Sequence, residues 1–216
     1  MTDPALTDAQ TARMLDLTAA TPHGQRNLAA LVYSGMRLGE AVGLRWEDLD
    51  LTARTFTVRR TISPNGSGKL ESPPTKSGRT REVPILDDLI PFLDPPDGVR
   101  HLHIFTGRNG APFDSGNLAR ATRWLEIRDQ IRTFPEGESP LRFHDLRHTF
   151  LTRMSRLGAL PQRLQSVAGH ASVTTTELYA RTSSHEAARA IGNVANREVA
   201  LPNGGDGGNI VPIRAF

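Results

Sequence analysis

Cysteine is absent from this 216-residue chain, and its absence excludes several classes of protein. A disulfide scaffold, a zinc site with thiolate ligands and a cysteine nucleophile are all ruled out, and the composition is compatible with a reducing cytosol. Long hydrophobic runs are also missing, since no stretch approaches the roughly 18 apolar residues of a membrane span. The first ten residues are acidic and polar, which predicts neither a signal peptide nor a transit peptide. We therefore expect a cytoplasmic protein.

Lysine is scarce, because 24 of the 26 basic residues are arginine and only Lys69 and Lys76 are lysine. The net charge of +3 is too small by itself to predict a nucleic-acid-binding protein. The distribution is uneven, with 4 basic and 7 acidic groups in residues 1–50 against 9 and 5 in residues 119–163. Arginine suits bidentate phosphate contacts better than lysine does, but genome composition also explains an arginine-rich chain. Both interpretations stay open on the count alone.

The hydrophobic pattern predicts an α+β fold that is mainly α-helical. In the first 50 residues, Thr7 can cap a helix that ends before Pro22, and two more helices fit residues 25–34 and 37–45. Alternating β-branched residues then predict a small three-stranded antiparallel sheet with a hairpin tip near Lys76. Its predicted strands are 54–62, 69–75 and 80–85.

The rest of the chain is predicted to be helical again. Helices fit residues 86–93, 114–132, 144–157, 161–168, 173–182 and 184–199. Residues 101–105 form either a short strand or a buried connection. We expect one domain over residues 1–200, followed by a glycine-rich linker and C-terminal tail over residues 201–216.

Four segments stand out together: GMRLGEAVGLRWEDLD at 35–50, TKSGRTREVP at 75–84, HDLRHTF at 144–150 and AGHASVTTTELYA at 168–180. With these segments in this order, the chain resembles the tyrosine recombinase (phage integrase) family over roughly residues 5–185. The 23 residues from Arg147 to His170 and the 9 from His170 to Tyr179 also match the family. The resemblance implies the catalytic domain of a site-specific DNA recombinase or integrase.

Tyr179 is the nucleophile that the resemblance implies. Taken alone, it is more readily a packed aromatic residue. A phenol can attack a phosphodiester and conserve its energy in a covalent link, so that rejoining needs no ATP. The resemblance implies that Tyr179 forms a 3′-phosphotyrosine and releases a 5′-hydroxyl. Tyr33, the other tyrosine, lies in an apolar helical stretch and is expected in the core.

Arg37 and Arg147 are the arginines that the resemblance assigns to the phosphate. Guanidinium groups can stabilise charge on the non-bridging oxygens without a metal. Among 24 arginines, a solvated surface side chain is the default for any one of them, and only the surrounding segments single out these two. Glu40 follows Arg37 by three residues on the same predicted helix, and we expect it to support that arginine.

Lys76, His144 and His170 complete the set that the resemblance implies. Lys76 would protonate the leaving 5′-oxygen as general acid. His144 would assist proton transfer around the nucleophile, and His170 would hydrogen-bond the scissile phosphate, although either histidine could be purely structural. His101 and His103 form an HxH pair without a matching carboxylate or cysteine pattern, so we do not expect a metal there. The resemblance implies no metal or nucleotide cofactor, because arginines and proton transfer supply the catalysis.

Double-stranded DNA with a recombination site is the implied partner. The resemblance also implies a synaptic tetramer on DNA and a monomer when free, with a nucleoid association when bound. Family members typically carry an N-terminal core-binding domain, which we expect to be absent because the matching segments begin close to residue 1. We therefore expect weak, salt-sensitive DNA binding by this chain alone.

Alternatives stay open for the role of the C-terminal tail and for the overall function. Apolar residues after the glycine-rich linker suit exchange of the tail between protomers, but a disordered tail is equally compatible. A type IB topoisomerase and a catalytically idle DNA-binding relative are the alternative functions. The presence of all six implied catalytic residues argues against the idle relative.

Overall fold

The computed structural model describes residues 4–64, 70–71, 80–93, 102–133 and 139–169. The predictions for Lys76, His170, Tyr179 and the tail lie outside these residues. Within them, no helix is long and apolar enough to cross a membrane.

The first two helices lie close to where the sequence predicts them, but the third helix, predicted over 37–45, is only one turn long. Helix α1 covers Asp8–Leu17, and Thr7 caps it in a reciprocal pair of hydrogen bonds with Gln10. Helix α2 covers Pro22–Ser34, and helix α3 is a single turn, Leu38–Ala41. Gly35 ends α2 in the left-handed conformation, with φ of 66°.

The three-stranded sheet is present, but its strands differ from the prediction. Strand β1 (Leu49–Asp50) pairs with β2 (Thr55–Val58), which pairs with β5 (Arg81–Pro84), and both pairs are antiparallel. The prediction of one strand over 54–62 was wrong, because the chain leaves the sheet after Val58. The backbone N–H of Ile62 donates instead to Gly39 O at 2.8 Å, next to α3.

The predicted middle strand of the sheet belongs to a separate pair. Strand β3 (Ser63–Pro64) pairs with β4 (Leu70–Glu71) in a two-stranded ribbon of its own. Residues 46–50 form a 3-10 helix (Trp46–Asp48) and then β1. Residues 87–92 also form a 3-10 helix, Asp87–Phe92. Residues 102–105 are a connection with one isolated bridge, between His103 and Arg45.

The C-terminal half of the described chain contains four helices. The single helix predicted over 114–132 was wrong: α4 (Ser115–Ala121) and α5 (Trp124–Ile131) are separate. Arg123 lies between them with φ of 53°, and Thr122 closes α4 by donating through Oγ1 to Leu118 O at 2.8 Å. Helix α6 follows over Phe143–Arg156 and α7 over Pro161–Ala168.

The core is organised around α2, which packs against α6 and against the 3-10 helix Asp87–Phe92. Its residues Leu28 and Leu31 are buried, as are Phe56 and Val83 on the facing strands. Tyr33 is partly buried and packs on this cluster, as predicted. Helix α7 packs against both α6 and β5. This packing brings together three of the four distinctive segments: 35–50, which contains α3, 75–84, which contains β5, and 144–150, which lies on α6.

Candidate active site

Arg37 precedes the first turn of α3 and is held there by Glu40. The Arg37 backbone N–H donates to Glu40 Oε2 at 2.8 Å, and its Nη1 donates to Oε1 at 3.1 Å. The Arg37 side chain is 46% exposed, whereas that of Glu40 is 8% exposed. Glu40 therefore closes the start of the helix and also binds the guanidinium group, which still faces solvent.

Arg81 on β5 is a second arginine on the same carboxylate, and the sequence did not single it out. Its Nη1 donates to Glu40 Oε1 at 3.0 Å, and its Nη2 donates to Oε2 at 2.7 Å. Each oxygen of Glu40 thus accepts two hydrogen bonds. Arg81 belongs to the segment at 75–84. Apart from the alternating pattern of residues 81–84 (REVP), which predicts a strand, nothing in the segment distinguishes it from its neighbours.

The charge state of Glu40 follows from these contacts. Burial is the largest influence and on its own would raise the pKa of this carboxyl. The hydrogen bonds and charges of Arg81, together with those of Arg37, outweigh it and hold the pKa of Glu40 below its ordinary value of 4.5. Glu40 is therefore ionised at neutral pH, between two cations.

Arg147 lies on α6 and is almost completely buried, at 2% exposure. Its Nη1 donates to Gly35 O at 2.7 Å, and its Nη2 donates to Ala168 O at 2.7 Å. These carbonyls end α2 and α7, whose last turns leave backbone acceptors without helical partners. Arg147 therefore joins the end of α2, just before Arg37, to the end of α7.

The end of α7 is bound by Arg81 as well. Arg81 Nε donates to Val167 O at 2.8 Å, next to the carbonyl that Arg147 binds. Gly169 then turns the chain with φ of 65°, and a Cβ on it would lie 3.1 Å from the Arg81 guanidinium carbon. Two arginines thus fix the last carbonyls of α7, immediately before His170.

His144 is near the start of α6 and is exposed to solvent. Partial loss of hydration, followed by the charge of Arg147, holds the pKa of His144 below its ordinary value of 6.5, although Asp145 acts in the opposite direction. Its imidazole is consequently neutral at neutral pH and can accept a proton.

A pocket of about 270 Å³ brings three of the predicted site residues together. Arg37, His144 and Arg147 line it, together with Met36, Leu38, Ser115 and Phe143. Two guanidinium groups beside one neutral imidazole make this pocket suited to a phosphate group. A larger cavity of about 770 Å³ lies elsewhere, between the start of α2 and α4, and includes none of the predicted site residues.

No metal site accompanies the pocket within the described ranges, since no group of three or more histidine, aspartate or glutamate side chains there could hold an ion. His103 is partly buried, and its pKa is lowered by burial and then by the charge of Arg45. His101, the other half of the HxH pair, lies outside the part of the chain that the structure describes.

Solved structures define the class of the fold as that of integrase catalytic domains. The integrase of transposon Tn1549, in a complex with a circular intermediate DNA, superposes with a TM-score of 0.68 at 22% identity over 90% of this chain and 66% of that one. The catalytic domain of bacteriophage HP1 integrase gives a TM-score of 0.54 at 21% identity, over 89% of this chain and 93% of that one.

Sequence comparison gives the family. A profile described as "Phage integrase family" matches residues 4–186, and the chain belongs to this family. Tyrosine recombinase XerD of Mycobacterium tuberculosis is 32% identical over 173 residues. That match covers 74% of this chain and 48% of the relative, so the chain spans about half the length of the curated relative.

Proposed function

We propose that this chain is the catalytic domain of a site-specific DNA recombinase, which cleaves and rejoins DNA through a 3′-phosphotyrosine at Tyr179. The observation that supports the proposal most strongly is the shared pocket of Arg37, His144 and Arg147. These residues come from two segments more than one hundred positions apart, and two of them are cations. A phosphate group is the ligand that this combination suits best.

The proposed reaction is a transesterification in which the number of phosphodiester bonds is conserved. The Tyr179 oxygen attacks phosphorus and forms the P–O bond of the phosphotyrosine, while the bond from phosphorus to the 5′-oxygen breaks. The Tyr179 proton passes to a base, for which His144 is the candidate because its lowered pKa leaves it neutral. Lys76 gives the leaving 5′-oxygen its proton, and attack by a 5′-hydroxyl reverses the reaction.

The two arginines have different parts in this proposal. Arg37 is nearly half exposed and is able to approach a phosphate from the solvent side. Arg147 is buried and fixed by two carbonyl groups, so it offers a preorganised cation at the base of the pocket. His170 follows Gly169 directly, and we propose that it hydrogen-bonds the same phosphate. Glu40 holds Arg37 in position.

We propose the same assembly that the family resemblance implies. The partner is double-stranded DNA at a recombination site, and the active form is a synaptic tetramer, with exchange of the tail at 201–216 between protomers. The catalytic unit spans residues 1–200. The protein acts in the cytoplasm and is associated with the nucleoid when bound to DNA. The DNA partner is supported by the structurally similar Tn1549 integrase, whose structure is of a complex with DNA.

The alternatives are not favoured by the comparisons. The matched relative from M. tuberculosis is named a tyrosine recombinase, and the neighbouring structures are named integrases. No feature of the described residues specifically supports a type IB topoisomerase or a catalytically idle relative.

A covalent-capture experiment tests the proposal. The full chain is mixed with a pool of DNA duplexes, each with a randomised core and a nick close to it. After cleavage, the short fragment with the 5′-hydroxyl diffuses away, so rejoining cannot occur and the covalent intermediate is trapped. Adducts that survive SDS are collected and quantified. We expect adducts with the wild type and none with Tyr179→Phe. The matched control is Tyr33→Phe, which replaces the other tyrosine of the chain and should form adducts as the wild type does. The absence of any wild-type adduct would contradict the proposal.

A further inference from the structure

Arg81 makes contacts that join the two halves of the candidate site. Its guanidinium group uses Nη1 and Nη2 on Glu40 of α3 and Nε on the Val167 carbonyl of α7. The side chain is only 15% exposed, and it is not among the residues that line the pocket. Arg81 is therefore not placed to contact a phosphate in that pocket, and it reaches the site mainly through the groups that it binds.

The first of these groups is the carboxylate that Arg37 also uses. Glu40 is bidentate toward Arg81, at 2.7 and 3.0 Å, but binds the Arg37 guanidinium through a single contact of 3.1 Å. Glu40, Arg37 and Arg81 together retain one positive charge. Without Arg81, the buried carboxylate would have only Arg37 as a cationic partner, and a second Arg37–Glu40 hydrogen bond would pull that guanidinium away from the pocket.

The second group is the end of α7. The carbonyls of Val167 and Ala168 receive hydrogen bonds from Arg81 and Arg147, and a cation at a helix C-terminus is favourable to the helix dipole. The close approach of Gly169 to the Arg81 guanidinium further limits the path of the chain. Arg81 thus helps to hold the last turn of α7 and the Gly169 that follows it.

We propose that Arg81 is a positioning residue for strand cleavage: it binds Glu40 so that Arg37 stays available to the phosphate, and it anchors the end of α7 that leads to His170. This inference rests on the proposed recombinase function. It makes Arg81 important to the reaction although Arg81 does not line the pocket.

The test uses a nicked duplex selected in the covalent-capture experiment. On this duplex, the rate of adduct formation in a single turnover and the Kd for DNA are measured separately. For Arg81→Gln we expect an adduct rate about 10- to 100-fold lower, as for other residues that orient a reacting group, with less than a threefold change in Kd for the duplex. Arg54→Gln is the matched control, because Arg54 also forms an ion pair but with the exposed Asp87. Thermal unfolding of each variant reports its stability, and Arg81→Lys replaces Arg81→Gln if the latter does not fold.

A double-mutant cycle separates positioning from simple structural support. If Arg81 acts by occupying Glu40, Arg81→Gln will reduce the rate much less in a Glu40→Gln background than in the wild type.

The outcomes distinguish this inference from the proposed function. A wild-type adduct together with an unchanged rate in folded Arg81→Gln, or with strictly additive effects in the cycle, would overturn the positioning role and leave the recombinase proposal intact. A wild type that forms no adduct would overturn the recombinase proposal itself.

Discussion

Arg147 Nη1 donates to the carbonyl of Gly35 at 2.7 Å, a hydrogen bond between residues 112 positions apart. Gly35 ends α2 two residues before Arg37, and Arg147 follows His144 by three residues on α6. The hydrogen bond therefore fixes the two distinctive segments against each other at the pocket. The same guanidinium group reaches α7 through Ala168 O, so one buried side chain connects three helices.

Replacing Arg147 should therefore affect folding as well as catalysis. Arg147→Met leaves the carbonyls of Gly35 and Ala168 without this donor, and we expect the free energy of unfolding to fall by about 3 kcal/mol. Urea denaturation measures the change. Arg142→Met is the control, because Arg142 caps the start of the same helix but is 65% exposed, and its replacement should cost less than about 1 kcal/mol. Equal effects of the two substitutions would contradict the proposed linking role.

Gly35 is required by both its conformation and its surroundings. A Cβ at this position would lie 2.3 Å from Phe150 Cδ1, and the backbone is left-handed. Gly35→Ala should lower the free energy of unfolding by about 2–4 kcal/mol through strain and overpacking. Gly110→Ala is a matched control, since Gly110 also has positive φ, of 77°, but nothing lies within 4 Å of its Cβ. We expect this control to lose only about 1 kcal/mol, and a loss as large as that of Gly35→Ala would contradict the steric argument.

Ionised Glu40 should contribute to stability in a pH-dependent manner. Its pKa in the folded protein is below the ordinary 4.5, so the folded state binds protons less readily than the unfolded state. The contribution is then fully present above pH 4.5 and is lost as the pH falls through the lowered folded value. The difference in unfolding free energy between the wild type and Glu40→Gln should shrink as the pH is lowered from neutral to acid. A difference that stays constant with pH would contradict the ionised, doubly paired carboxylate.

Local signals in the sequence predicted much of the helical framework. Thr7 identifies the start of α1, and Gly35 identifies the end of α2, because capping depends on residues within one turn. The break at Arg123 was missed, since a left-handed arginine between two helical patterns gives no local sign. The end of β2 at Val58 was also missed, because a tertiary hydrogen bond from Ile62 to Gly39 decides it.

The candidate site was predicted in part, and the missing part has a physical explanation. Family resemblance pointed to Arg37, Glu40, His144 and Arg147, and the structure brings these four close together. Arg81 has no periodicity or spacing that relates it to Glu40, 41 residues away, and it is one of 24 arginines. Its contacts with Glu40 and Val167 depend on the packing of β5 against α3 and α7, which only the folded chain reveals. The catalytic roles of all six residues that the resemblance implies remain predictions, and Lys76, His170 and Tyr179 also lie outside the described residues.

The most direct test of the account is to identify the atom that becomes linked to DNA. The captured adduct is digested with nuclease and protease, and mass spectrometry locates the residual nucleotide on a peptide. The account predicts a single modified residue, Tyr179, joined to a 3′-phosphate, with a free 5′-hydroxyl on the released strand. A nucleotide on any other residue, or a 5′-phosphate link, would contradict it.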